Sequence, residues 1–181
     1  METCALGDDG VGAYGIACYY IPYVFMVGNA IAQSAQPIIS YNWGLRLYKR
    51  VKETERIALI TSAACGGVVM LMFAAVPDYL VALFIDIDSK AAAIATDGLP
   101  YFSIAFVFSV VNISAIGYYQ SIERTIPATV YALCRGVVFL IPCYIVIPGI
   151  MGVHGIWLAL AASEIMTTAV IAMVLVKERC H

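Results

Sequence analysis

The sequence predicts an all-α integral membrane protein, a polytopic bundle of five transmembrane helices. Three observations carry that prediction. Hydrophobic residues make up 62% of the 181-residue chain and charged residues only 12%, whereas soluble domains carry about 25% charge. Mean hydropathy is +0.90. The 36 residues from Gly10 to Leu45 contain no Asp, Glu, Lys or Arg, and about 20 apolar residues suffice to cross the hydrocarbon core as a helix. A soluble fold of this length has one core and could not bury so much apolar surface.

Taken in order, the first span covers residues 11–42 and closes on the polar run Gln33 to Gly44. A basic loop, 45–56, follows. The second span, 57–77, is flanked by Arg56 and Asp78, and the third, 98–122, by Asp97 and Glu123. The fourth, 125–148, holds one charge, Arg135, and the fifth, 153–176, holds one, Glu164. In lipid every backbone polar group must be satisfied internally, so each span is read as a helix. Tyr79 to Ile85 is too short to span and is placed at the interface, and Asp88 and Ser89 are capping candidates for a helix near Ala91.

Orientation follows from the basic residues. Arg46, Lys49, Arg50, Lys52, Arg56, Arg124, Lys177 and Arg179 are eight of the ten Lys and Arg, and five spans put all eight on one side. The positive-inside rule makes that side the cytoplasm, giving a multi-pass protein of the cytoplasmic (inner) membrane with its C-terminus inside. The N-terminus then lies outside, yet Met1 to Asp9 has neither the basic nor the apolar region of a signal peptide. The chain therefore reads as the end of a longer protein whose preceding helix is missing. The alternative is a short tail translocated by itself.

The candidate site residues are polar groups at membrane depth. Arg135 and Glu164 each lie about ten residues into adjacent antiparallel spans, or ~15 Å deep. A lone charge there costs at least ~2.5–3.5 kcal/mol, so the two are expected to pair or to share an aqueous cavity. Glu164 either exchanges protons and contacts substrate, or bridges the last two helices. The bridge is favoured, because a lasting arginine partner keeps a carboxylate ionised. Asn29, Gln33 and Gln36 recur at i, i+4 and i+7, and Ser40 continues that face. They line a pathway or act as polar glue between helices. Asn112 is a further pathway candidate, and Gln120, ending the third span, reads as interfacial. Pro37 is a candidate kink and Pro22 and Pro142 are candidate hinges, with bundle packing the commoner reason for such prolines, while Tyr14, Tyr19, Tyr20 and Tyr23 fit an outer interfacial belt and Tyr41, Trp43 and Tyr48 an inner one.

Other chemistry is poorly served. The six cysteines are scattered, neither His154 nor His181 has a partner at metal-ligand spacing, and no cofactor is implied. No HExxH, GxSxG or carboxylate pair lies within the spans, which argues against an enzyme. Nothing points to nucleic acid. The partners expected are the lipid bilayer and a small-molecule substrate.

Gly10 to Ala17, Gln33 to Gly44, Tyr48 to Lys52, Tyr118 to Ser121, Leu133 to Gly136 with Ile141-Pro142, and Gly155 to Ala159 occur in an order that resembles the multidrug and toxic compound extrusion (MATE) family. The resemblance covers nearly the whole chain. It implies a twelve-helix protein of two six-helix lobes, of which this chain supplies the eighth to twelfth helices, part of the C-terminal lobe. The start of the eighth helix is then outside, in agreement with the charge count. The implied function is export of drugs or other amphipathic or cationic compounds by antiport with Na⁺ or H⁺. The implied partners are the missing N-terminal lobe and the preceding helix. The carboxylates of the family's C-terminal cation site come from the seventh and tenth helices. The seventh is absent and the span matching the tenth has no internal acid, so no coupling site carries over. A lipid-linked oligosaccharide flippase of the same superfamily and a non-transporting small membrane protein are the alternatives.

Overall fold

The computed structural model describes residues 7–179. Its elements are α1 (Gly7–Gly44), α2 (Tyr48–Ala75), the short α3 (Pro77–Ala82), α4 (Lys90–Ser121), α5 (Thr125–Leu133), a π-helical segment (Cys134–Val138), α6 (Leu140–Met151) and α7 (Val153–Arg179). Among the described residues the bundle is all-helical and has five helices or helix runs long and apolar enough to cross a membrane. These are α1, α2, α4, the run α5–π–α6, and α7.

α4 is the central element. It packs against α1, α2, α3, α5 and α7. Its apolar stretch is 61% buried, against 11% for the run Thr125–Met151. Lipid tails offer no hydrophobic drive between helices, so close backbone approach through small residues has to supply the attraction. Gly66 on α2 lets the helices meet so closely that an added Cβ would lie 2.8 Å from the Val107 Cα on α4. Gly98 on α4 makes room for the Trp157 indole of α7, where a Cβ would lie 2.0 Å from a ring carbon. Phe102, Phe106, Phe73 and Trp157 fill the surrounding core, with edge-to-face ring pairs. Three of the hydroxyls are satisfied by their own helix: Ser103 Oγ donates to Pro100 O, Ser121 Oγ to Gly117 O, and Thr167 Oγ1 to Ser163 O.

The structure revises several expected boundaries. The basic stretch 45–56 is a loop only at Leu45–Leu47, since α2 starts at Tyr48. Lys, Arg and Glu are good helix formers and no breaker interrupts them, but a search for uncharged windows cannot see a helix that starts in a charged turn. The helix of the third span begins at Lys90, ahead of its apolar window and beside Ala91 as the capping residues led one to expect: Ser89 Oγ caps it by accepting from the Ala92 amide at 3.2 Å. The expected interfacial stretch overlaps α3, which starts two residues earlier at Pro77, with Val81 buried and Tyr79 exposed. α1 runs unbroken through Pro22 and Pro37. Two tight connections place non-glycine residues in the left-handed region, Arg46 (φ 59°) and Glu123 (φ 62°).

Because the Trp157 ring cannot retreat from α4 without opening the aromatic core, Gly98→Ala is expected to cost about 1–3 kcal/mol as an overpacking change. Thermal unfolding of the detergent-solubilised protein measures this. An unchanged midpoint would mean that α4 and α7 are not in contact here.

Candidate functional site

Two polar features lie within the apolar run of the helices. The first is a node built on Arg135 and Glu164. Arg135 sits in the π segment, where the Phe139 amide donates to Cys134 O in an i→i+5 bond at 2.9 Å. Its Nε lies 2.7 Å from Glu164 Oε1, and its Nη2 donates to Ser109 Oγ at 2.6 Å. The guanidinium also lies over the Phe25 ring, 4.4 Å from the centroid, which ties the node to α1. Glu164 is 2% exposed. Its Oε2 accepts from Asn112 Nδ2 at 2.8 Å, and the same amide donates to the Glu164 carbonyl at 3.0 Å. Asn112 Oδ1 in turn accepts from Thr168 Oγ1 at 2.9 Å. Every carboxylate oxygen of Glu164 has a partner, as a buried charge requires.

The second feature is a cleft of about 610 Å³. It exists because α1 and α5 both pack on α4 and scarcely on each other. Asn29, Gln33 and Gln36 line its α1 wall, Gln120 the end of its α4 floor, and Arg135 its far side. Gln36 Nε2 donates to Gln120 Oε1 at 3.4 Å. Asn29, Gln33 and Gln120 are exposed. Amides at this depth cannot face hydrocarbon without a cost of several kcal/mol per unsatisfied group, so the cleft faces water or further protein. At the end of the bundle where α1 begins, the Tyr14 and Tyr144 hydroxyls share a hydrogen bond that joins α1 to α6, and Tyr14 packs edge-on against Phe102 and Trp157.

The structure thus brings Arg135, Glu164 and Asn112 into one network and gathers Asn29, Gln33 and Gln36 on one wall. Ser40 departs from that face: its Oγ donates to Ser121 O, a link between α1 and α4, and it does not line the cleft. Gln120, expected at the interface, does line it. Ser109, Thr168 and Phe25 were not anticipated. The spacing held a signal for two of them, since Ser109 precedes Asn112 by three and Thr168 follows Glu164 by four, each pair on one helical face. Among the described residues no cluster of His, Cys, Asp or Glu could hold a metal.

The MatE family model matches residues 3–145 of this chain, four fifths of its length. The chain belongs to the MatE family. A solved structure, described as the outward-facing conformation of a multidrug resistance MATE family transporter of the MOP superfamily, superposes with a TM-score of 0.85 at 13% identity. The match covers 97% of this chain and 40% of the solved one, so the chain spans two fifths of the length of that transporter. No curated protein matches. The Gly155 to Ala159 motif on α7 lies outside the matched residues, yet the structural match includes nearly the whole chain. At such low identity the likeness establishes the MATE helical fold and leaves substrate and ion open.

Removing one partner of a buried ion pair leaves the other uncompensated, typically at ~3–5 kcal/mol. Arg135→Met and Glu164→Gln are each expected to destabilise on that scale. The double variant should cost clearly less than the sum of the two. A double-mutant cycle on thermal unfolding in detergent reads this, and additive losses would mean that the two side chains do not interact.

Proposed function

We propose that the protein forms part of a secondary active transporter of the cytoplasmic membrane, exporting amphipathic small molecules by ion-gradient-driven antiport. The observation that carries this reading is the polar cleft, set at membrane depth within a bundle of the MatE family. Secondary transporters place their sites near the bilayer midplane, between repeated halves. The amides of Asn29, Gln33, Gln36 and Gln120 would then line the pathway, and the lobe that faces them would complete it. A volume of about 610 Å³ falls in the ~300–1,000 Å³ range of small-molecule sites. One arginine at depth is a sparse provision for a polyanionic lipid-linked saccharide, which favours export of smaller compounds over a flippase.

In this reading the Arg135–Glu164 pair is a structural bridge. Both oxygens of the carboxylate are engaged and it is shut away from the cleft, whereas a proton carrier must alternate between states and meet water. The basic side, with Arg46 to Arg56, Arg124 and Lys177, faces the cytoplasm, and the C-terminus with it. The coupling ion, Na⁺ or H⁺, binds elsewhere in the complete transporter.

Inside-out membrane vesicles carrying the full-length gene product are expected to accumulate a fluorescent amphiphile when a Na⁺ or H⁺ gradient is imposed. Collapsing the gradient with an ionophore should release it. Accumulation that ignores both gradients would remove the antiport reading. Glu164→Gln should lower the amount of folded protein and leave the pH dependence of the remaining export unaltered; a shifted profile would put Glu164 into the coupling mechanism.

A further inference from the structure

Resting on the orientation proposed above, with the basic side in the cytoplasm, we propose that this side holds an anionic phospholipid by its headgroup. The seat is a pocket between the ends of α1, α2, α4 and α7, apart from the polar cleft. It has a volume of about 140 Å³, and its lining includes Trp43, Lys52, Glu55, Ile122, Arg124 and Leu175. Small-molecule sites run to ~300–1,000 Å³. This pocket is too small for a whole amphiphile and has room for a phosphate with the glycerol beside it.

The charge around the pocket is positive and uncompensated. Lys52 and Arg124 are exposed, whereas Glu55 is only 3% exposed, so the two cations stand at the mouth and the carboxylate at the back. Glu55 offsets one of them. The surplus comes from α2, where Lys49 and Arg56 lie at i−3 and i+4 from Lys52, on the same side of the helix. None of Lys49, Lys52 and Arg56 has an ion pair among the described residues. Basic pockets between helix ends on the cytoplasmic side suit anionic headgroups, and the anionic leaflet beside them supplies such lipids. The carboxylate at the back penalises a second negative charge, so a phosphodiester with one charge is preferred to a phosphomonoester with two.

Trp43 adds a neutral donor. Its ring is held edge-on by Tyr48 at 5.3 Å, and its indole N–H makes no hydrogen bond among the described residues. Such a ring sits at headgroup level with its body toward the chains and its donor toward phosphate or ester oxygens. Ile122, 4% exposed, and Leu175 give the glycerol an apolar seat. Ile57 and Ile60, exposed on α2 just past Arg56, begin an apolar track for an acyl chain. Free phosphate would have no use for that track; a lipid needs both ends.

The test titrates the detergent-solubilised full-length gene product with phosphatidylglycerol or phosphatidylcholine of the same acyl chains, read by native mass spectrometry. The first phosphatidylglycerol is expected to bind at least about tenfold more tightly than phosphatidylcholine. Lys49→Gln with Lys52→Gln should weaken it by about tenfold, the scale for two cations at an anionic headgroup. Lys90→Gln, at the opposite end of α4, should leave it unchanged. The proposal is overturned if the two lipids bind equally, if the paired substitution has no effect, or if Lys90→Gln weakens binding as much. Inorganic phosphate in excess is expected not to displace the lipid; displacement would assign the pocket to free phosphate and overturn the lipid. The comparison of the two lipids needs no variant, so a misfolded variant cannot mask the answer. Phosphatidylglycerol bound by a protein that moves no dye under any gradient would leave this site standing and sink transport. Gradient-driven export without a lipid preference would do the reverse.

Discussion

The arrangement of the last three spanning elements depends on one constraint, that a charge at membrane depth must find its opposite. Arg135 and Glu164 meet at 2.7 Å, and the helices that carry them are fixed by that meeting. The pair does not stand alone. Ser109 on α4 accepts from a second guanidinium nitrogen, Asn112 donates to the second carboxylate oxygen, and Thr168 on α7 completes the chain of bonds to Asn112. With water excluded, each of these hydrogen bonds is strengthened electrostatically, and any one left unmade would be costly. The network therefore specifies which face of α7 meets α4 and how deep the π segment sits beside both. Apolar packing alone would tolerate several such registers; paired charge and directed hydrogen bonds tolerate one.

Elsewhere the bundle is held by closeness. α4 is the helix that others pack on, and it is lined with Gly, Ala and Ser where they approach. The flat back of Gly98 seats Trp157, and Gly66 brings α2 to the α4 backbone. The exposed flank of α5, the π segment and α6 is different: Ile126, Val130, Leu133, Val137, Ile141 and Ile145 all face outward. Such a surface belongs against lipid tails or another apolar protein face. The polar cleft opens between these two regimes, beside the well-packed α4 and the sparsely packed α5.

The spans were legible because dehydration of charge is so unfavourable that uncharged runs mark the membrane almost by themselves. Arg135 and Glu164 were legible for the same reason, each being the lone charge of its run. The seam of Asn29, Gln33 and Gln36 could be read from helical spacing, whereas Ser40 on the same face turned instead to a carbonyl of α4. The start of α2 was not legible in hydropathy, since Tyr48 to Arg56 is helical by propensity outside the apolar window, whereas the start of α4 at Lys90 could be read from the capping serine, Ser89. Ser109 and Thr168 escaped because a hydroxyl in a membrane helix usually bonds its own backbone, so its type says little. Gln120 was hidden by position: the end of a helix suggests an interface, and only the gap between α1 and α5 turns it into a wall.

The π segment has a consequence for everything downstream of it. An i→i+5 turn holds one residue more than an α turn, and one residue on an α-helix is a rotation of about 100°. The faces of α6 are therefore out of phase with those of α5 by that angle. Tyr144 points to α1 and meets Tyr14 only because the extra residue has been wound in; on an uninterrupted helix from Thr125 the same tyrosine would look a quarter-turn away. The helix thus behaves as two rods joined by a fixed angular offset, one indexed to the charge network at Arg135 and the other to the aromatic contact between Tyr144 and Tyr14. A single-residue change of length in that turn would leave the composition and hydropathy of the span almost untouched, and would nonetheless aim its second half at a different neighbour.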